Sequence, residues 1–541
     1  MKNFNTSVVI VGAGPAGLTL AHLLSQSGVD SILLEKLSET MELPRAIGID
    51  SEALRTYQAA GVIGDVIDEM CSDVHTTEYS NGEGETLFKF ETGTIGKPYG
   101  FTFFNTFDQA IVDRIVSGTL ARRGNIKAWF SHELERYEQD ENGVTVYGKN
   151  AQGEAIKIDA KYIVGADGAH STVRKQLGST MIGKSNEFPW LVIDTIDPGL
   201  ANTLPAHFFC DTKRPGMTIK KNNNHRRWEW MLMPGEQPAD MLNDDVINSI
   251  IAPYTDTSQV NVFRKVVYNF NALNADKWQD ERVFLVGDAA HLTPPFAGQG
   301  LNSGFRDIRN LSWKLAMVCN GQLDESILES YQLERREHAQ ELIDFALNLG
   351  ETIQPIDIEK AKMRDGFFFA LQKDEEASKD FVNNLARSMF SRSLDKGLVV
   401  DPGENAITGQ LIVQPKLKVN SGEEILLDEL LGNGFSIIGY NCDPAQEIDS
   451  DTLADWRQLS TVTLAIGDTH NENQWAQDQQ GLFKNFMSGN RLIEKESQDS
   501  GDITMMLVRP DKFCMAAFNK DTATEVLAKA KTLLKLNTEA A

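Results

Sequence analysis

The sequence holds little that could staple the chain or ligate a metal. Its 541 residues include five cysteines, Cys71, Cys210, Cys319, Cys442 and Cys514, which lie far apart and form no C-x-x-C. Neither a disulfide framework nor a thiolate metal cluster is therefore expected. Nine histidines show no zinc-like spacing, so no metal is expected. There is no uninterrupted apolar run near twenty residues, which argues against a membrane-spanning helix. The N-terminus runs almost straight into a strand without a basic-then-apolar leader. Positive charge is the scarcer sign, and a net charge of -25 repels nucleic acid and anionic membranes alike. What is present, 41% hydrophobic and 24% charged residues, reads as a globular cytoplasmic protein of several domains.

The first informative stretch is "SVVIVGAGPAGLTLAHLLSQSGVDSILLEK". A β-branched run, Val8 to Val11, suits a buried parallel strand. Gly12, Gly14 and Gly17 follow in G-x-G-x-x-G spacing, then a helix pattern that Gly28 ends, then a second strand, Ser31 to Leu34, and Glu35-Lys36. This is the order a dinucleotide site needs. Gly12 permits the turn, Gly14 lets backbone approach a pyrophosphate, and Gly17 lets helix pack on strand. The helix start, with Pro15 and Ala16, would hold phosphate, and Glu35 would accept from ribose hydroxyls. The motif alone does not separate FAD from NAD.

Two later stretches repeat the logic. "KYIVGADGAHSTVRKQLG" has an apolar strand ending at Asp167-Gly168, and "VFLVGDAAHLTPPFAGQGLNSG" has another ending at Gly287-Asp288 before a loop rich in Pro and Gly. Each acid could simply cap a helix. A flavin buried along its whole length accounts for both together. Its ribityl chain wants an acceptor such as Asp288, and its ring wants donors such as a helix N-terminus near Gly300, Leu301 and Asn302.

The order of these motifs resembles the flavin-dependent aromatic hydroxylases, the superfamily of para-hydroxybenzoate hydroxylase and phenol hydroxylase. "PRAIGID", "RRWEWMLMPGE" and "YQLERREHA" look most like its 3-(3-hydroxyphenyl)propionate hydroxylase branch. The resemblance implies tight, noncovalent FAD, with NADH or NADPH, O2 and a small phenolic compound as reactants, and it admits a homodimer. It places Arg45-Ala46, Gln109, Asp288, Pro295, Gly298, Gly300, Leu301 and Asn302 beside FAD, and Asp167 beside FAD and NAD(P)H. It also implies ring hydroxylation through a flavin C4a-hydroperoxide, as in aromatic catabolism.

The expected class is α/β: a Rossmann-like FAD-binding domain (1–180 and 282–343), an inserted β-sheet substrate domain (181–281), a helical bridge (344–400) and a C-terminal thioredoxin-like domain (401–541). Without C-x-x-C the last is expected to pack at an interface rather than to do redox chemistry. In "RRWEWMLM", alternation puts Arg226, Trp228 and Trp230 on one face and Arg227, Glu229 and Met231 on the other. One of these faces should roof the flavin. Strands are expected in "EILLDELLGNGFSIIGY", and solvated loops in "ENQWAQDQQG" and "EKESQDSG". Losing the phenol proton raises ring electron density, so a base is expected near the substrate. Asp50 and Tyr268 are the candidates, with helix capping and core packing as their structural alternatives. His291 is expected to be structural. A hydroxylase acting on another aromatic, a dehydrogenase or epoxidase on the same scaffold, and a non-catalytic flavin sensor are the rival readings.

Overall fold

The computed structural model describes residues 2–42, 45–72, 74–198, 206–222, 224–390, 392–468, 476–489 and 503–536. The expected loop 494–501 and residues 472–475 of the other lie outside them.

The first strand, Lys2–Val11, sits inside a sheet flanked by Ala155–Gly165 and Ser31–Glu35, with Ile126–Phe130 and Val283–Leu285 beyond. These five are parallel, and residues 8–11, 31–34, 162–165 and Val283–Leu285 are buried runs of the kind a parallel sheet covered on both faces requires. The register brings Val11 beside Leu34 and Gly165, and Gly165 beside Leu285. All three Gly/Asp motifs therefore emerge at the same carboxyl edge, where an open α/β sheet binds its ligand. The helix Gly300–Cys319 packs against Pro15–Gln26 behind that edge and is buried over most of its length.

A second, seven-stranded sheet runs in the order Asn261–Tyr268, Trp190–Ile196, His225–Met231, Gly216–Lys220, Ala206–Cys210, Thr76–Asn81, Thr86–Glu91. Its last two strands come from within 1–180, so the inserted segment does not build the sheet alone. Their alternating apolar residues, Tyr79, Phe88 and Phe90, join a core with Phe208, Trp190 and Phe296. Conversely, Met181–Ser185 and Asn271–Ala275 leave this sheet and pair in a small one with His291–Leu292. One face of the large sheet buries Trp228, Trp230 and Leu232 against the helix Asp244–Ile251. The other face turns to the FAD-domain edge.

Helices Ser330–Ile353, Ile358–Leu371 and Glu375–Met389 follow, the first running across the boundary expected between 343 and 344. The C-terminal region is a mixed seven-stranded sheet closed by the helix Ala523–Leu534. Within "EILLDELLGNGFSIIGY" two strands flank a short helix, Leu427–Leu431, which stops at Gly432 with φ +62. Buried ion pairs fasten this region to the rest. Arg55 holds Asp428 through two bonds of 2.7 Å, and Arg509 holds Glu334 at 2.8 Å. All five cysteines are free. Among the described residues no helix is long and apolar enough to cross a membrane, and no cluster of acids, histidines or cysteines could hold a metal.

Candidate active site

The three fingerprint glycines are required for different reasons. Gly12 has φ +105, and a Cβ there would lie 2.4 Å from the carbonyl oxygen of Ala166. A Cβ on Gly17 would lie 1.9 Å from the carbonyl oxygen of Gly12. Both are set by packing. Gly14 is extended (φ -76, ψ 179), and a Cβ there meets nothing within 4 Å. Its side stays open toward a cavity.

Two helices begin at that cavity, Pro15–Gln26 and Gly300–Cys319, and neither has a side-chain cap or an acid in its first turn. The helices starting at Ser51, Gln109, Asp244 and Ile358 are capped by Asp50, Asp108, Asn243 and Asp357. The orphan N–H groups of the two bare helix starts are donors for an anionic or electron-rich ligand.

The cavity encloses about 370 Å³. Gly14, Pro15, Ala16, Arg45, Ala46, Gln109, Asp288, Pro295, Gly298, Gly300 and Leu301 all line it. Residues spread over nearly three hundred positions thus meet at one place. Gln109 does so by holding the loop: its Oε1 accepts from the N–H groups of Arg45 (3.2 Å) and Ala46 (2.7 Å). Its Nε2 donates to Asp113, whose carboxyl burial pushes up to about 7. Asp288 accepts no hydrogen bond from any described residue and does not cap the turn that follows it. Burial holds its carboxyl above the ordinary range against the pull of His291 and Arg45. Thr293 Oγ1, also at the cavity, is buried without a partner. These unsatisfied groups fit a polar ligand such as the ribityl chain of FAD.

Other expected residues are engaged elsewhere. Glu35 accepts from the N–H groups of Ala13 (2.8 Å) and Leu37 (2.9 Å), bracing the glycine loop, and Lys36 is exposed. Asp167 accepts from Ser171 Oγ and from the N–H of Thr172 (2.6 Å), at the start of Thr172–Gln176. Asn302 is buried, its side chain bridging Asp50 N and the carbonyl of Gly298. Asp50 caps Ser51–Ala59 through Ala53 N and pairs with Arg306 at 2.6 Å, outside the cavity lining. Tyr268 accepts from Arg264 (2.9 Å) and does not line the cavity. His291 is clamped by Asp307 at 2.7 Å and stacked on Trp278.

The roof of the cavity is the second sheet, on its Arg227–Glu229 face. Tyr79, Phe90, Ala206, Phe208, Met217 and Ile219 supply its largely apolar part. The Trp228–Trp230 pair belongs to the opposite core. Beneath the roof, Arg227 holds Asp194 through Nε (2.8 Å) and Nη2 (3.0 Å), and Arg264 holds it at 2.7 Å. Burial would raise the Asp194 carboxyl, but these two cations hold it below its ordinary range. Glu229, buried and lining the cavity, stands 3.9 Å from Arg227 Nη1. Its candidacy was missed because alternation alone does not say which face looks inward.

A model of the FAD binding domain matches residues 5–346, and one of the HcaD C-terminal domain matches residues 409–533. The chain is 34% identical over 510 residues to the 3-(3-hydroxy-phenyl)propionate/3-hydroxycinnamic acid hydroxylase of Klebsiella pneumoniae (strain 342), covering 94% of this chain and 91% of that one. It is 31% identical to the enzyme of the same name from Escherichia coli (strain K12), covering 99% and 96%. Among solved structures, it resembles the flavin-dependent monooxygenase PieE, in complex with FAD and substrate (TM-score 0.82, 19% identity, 99% and 100% covered). It also resembles aklavinone-11 hydroxylase with FAD and aklavinone (TM-score 0.75, 21% identity, 99% and 100% covered). The chain that carries this cavity belongs to the FAD binding domain family.

Proposed function

We propose that this protein is an FAD-dependent monooxygenase that hydroxylates the ring of a phenolic acid such as 3-(3-hydroxyphenyl)propionate, with NADH or NADPH and O2 as co-substrates. One observation carries the reading: a single cavity has dinucleotide-type loops and bare helix starts on one side and an aromatic-lined sheet face on the other. The names of relatives matching nearly the whole chain agree with it.

The chemistry supplied by bound FAD is activation of O2 with electrons from the nicotinamide. The chain's own residues do the rest. The N–H groups at the start of Pro15–Gln26 hold the pyrophosphate, and Gly14 leaves it room. Asp288 accepts from the ribityl hydroxyls, and the start of Gly300–Cys319 donates to the electron-rich edge of the ring. Gln109 keeps Arg45 and Ala46 against the cofactor. Phe208, Met217 and Phe296 exclude water and orient the substrate ring. Asp50 and Tyr268 serve the framework in this reading.

The test is to purify the protein, measure bound FAD, and follow NADH and NADPH consumption with phenylpropanoid, benzoate and quinoline-type phenols. Product carrying an oxygen atom from labelled O2 is expected. FAD binding without stimulated consumption by any phenol would indicate a sensor, and consumption without oxygen incorporation would indicate a dehydrogenase.

A further inference from the structure

Glu229 occupies a position that stability alone would give to an apolar residue. Its strand pairs it with Val192 on one side and Met217 on the other, and Met217 faces Phe208, which faces Tyr79. It is the one acid in that row. No described residue donates a hydrogen bond to its carboxyl, an arrangement that costs free energy unless a ligand repays it. The nearest cation, Arg227, is directed elsewhere: its Nε and Nη2 hold Asp194, and its Nη1 donates to the Arg45 carbonyl at 2.7 Å. Arg227 therefore lends Glu229 charge without saturating it.

Resting on the hydroxylase reading above, we propose that Glu229 is the catalytic base that takes the proton of the substrate's phenol hydroxyl. The proton passes to a Glu229 carboxylate oxygen, the O–H bond breaks, and the phenol oxygen keeps the electron pair and feeds it into the ring. That step needs no other reactant. Burial holds the Glu229 carboxyl above its ordinary range, closer to a phenol, with Arg227 and Arg264 opposing and Asp194 adding to the rise. Among the described residues, Arg45 and Asp288 are the other charged groups lining the cavity. Of these acids, Asp194 is saturated by two arginines, and Asp288 lies on the cofactor side.

The test compares wild type, Glu229→Gln and Glu229→Asp as FAD-loaded full chains, with 3-(3-hydroxyphenyl)propionate as the probe. Catechol formed, nicotinamide consumed and FAD content are measured across pH. Glu229→Gln should keep its FAD and hold KM within a few-fold. It should lose on the order of 10²- to 10⁴-fold in hydroxylation, the usual contribution of a positioned base. Its residual rate should climb with pH toward the ionisation of the phenol itself, near about 10. Glu229→Asp should retain part of the rate and the wild-type shape of the profile, and it decides the matter if the Gln variant does not fold. Hydroxylation by Glu229→Gln at the wild-type rate and pH profile overturns the proposal, as does a loss confined to KM. A wild type that holds FAD yet hydroxylates no phenol instead sinks the functional reading itself.

Discussion

Arg227, on the strand that roofs the cavity, donates from Nη1 to the main-chain carbonyl of Arg45 at 2.7 Å. The second sheet thereby grips the loop that borders the cavity, while the same guanidinium neutralises Asp194. Replacing Arg227 by Ala should destabilise the protein by about 3 kcal/mol, the low end for breaking a buried pair, because Arg264 still holds Asp194. Urea unfolding measures this. A loss under about 0.5 kcal/mol, typical of surface changes, would show that the pair is not structural.

The fingerprint glycines should separate into two classes. Gly17→Val drives a side chain into the backbone of Gly12 and should prevent folding. A Cβ on Gly14 meets nothing within 4 Å, so the Gly14→Ala apoprotein, and by extension Gly14→Val, should melt like wild type while FAD binding is lost. Thermal melts of apoprotein together with FAD titration decide this, and a Gly14→Val protein that retained stoichiometric FAD would refute the assignment.

Asp288→Ala distinguishes a structural acid from a ligand-binding one. The folded carboxyl is raised above its unfolded value, so its stabilising contribution is complete only in acid and is lost as pH rises through the folded value. At pH 7 the alanine apoprotein should therefore melt no lower than wild type. The deficit should fall on FAD, at about 1.5–3 kcal/mol for a charged hydrogen bond, or about 10- to 150-fold in Kd. Normal FAD affinity in a destabilised apoprotein would be the opposite result.

Asp113, behind Gln109, carries a carboxyl that burial lifts to about 7. A raised acid stabilises the fold below its unfolded value, and that stabilisation drains away as pH climbs toward the folded value. Wild-type apoprotein should lose stability between about pH 4 and 7 on this account, from the ordinary aspartate value to the raised one. Asp113→Asn should flatten that part of the curve. Melting temperatures taken at half-unit pH steps would show it, and parallel curves for the two proteins would rule Asp113 out as the source.

Local sequence was enough to point to the glycine loop and the helix starts that meet at the cavity. Gly12, Gly14 and Gly17 with the strand before and the helix after them can be read from spacing, because turn, close approach and helix packing each impose a residue type within a few positions. Asp288 was legible for a similar reason, as an acid at the end of an apolar run. Tertiary structure decided what lay at long range. It decided that Asp167 spends its carboxylate on a helix start while Asp288 spends none on any described residue, a difference in hydrogen-bond partners that the two local contexts do not encode. It brought Thr76–Asn81 and Thr86–Glu91, from the first segment, onto the edge of the second sheet, a pairing set by a distant strand at Ala206–Cys210. Above all it chose the face. A strand's period of two sorts Arg227 and Glu229 from Trp228 and Trp230, but only packing on the helix Asp244–Ile251 settles that the tryptophans are core and that Glu229 faces the cavity.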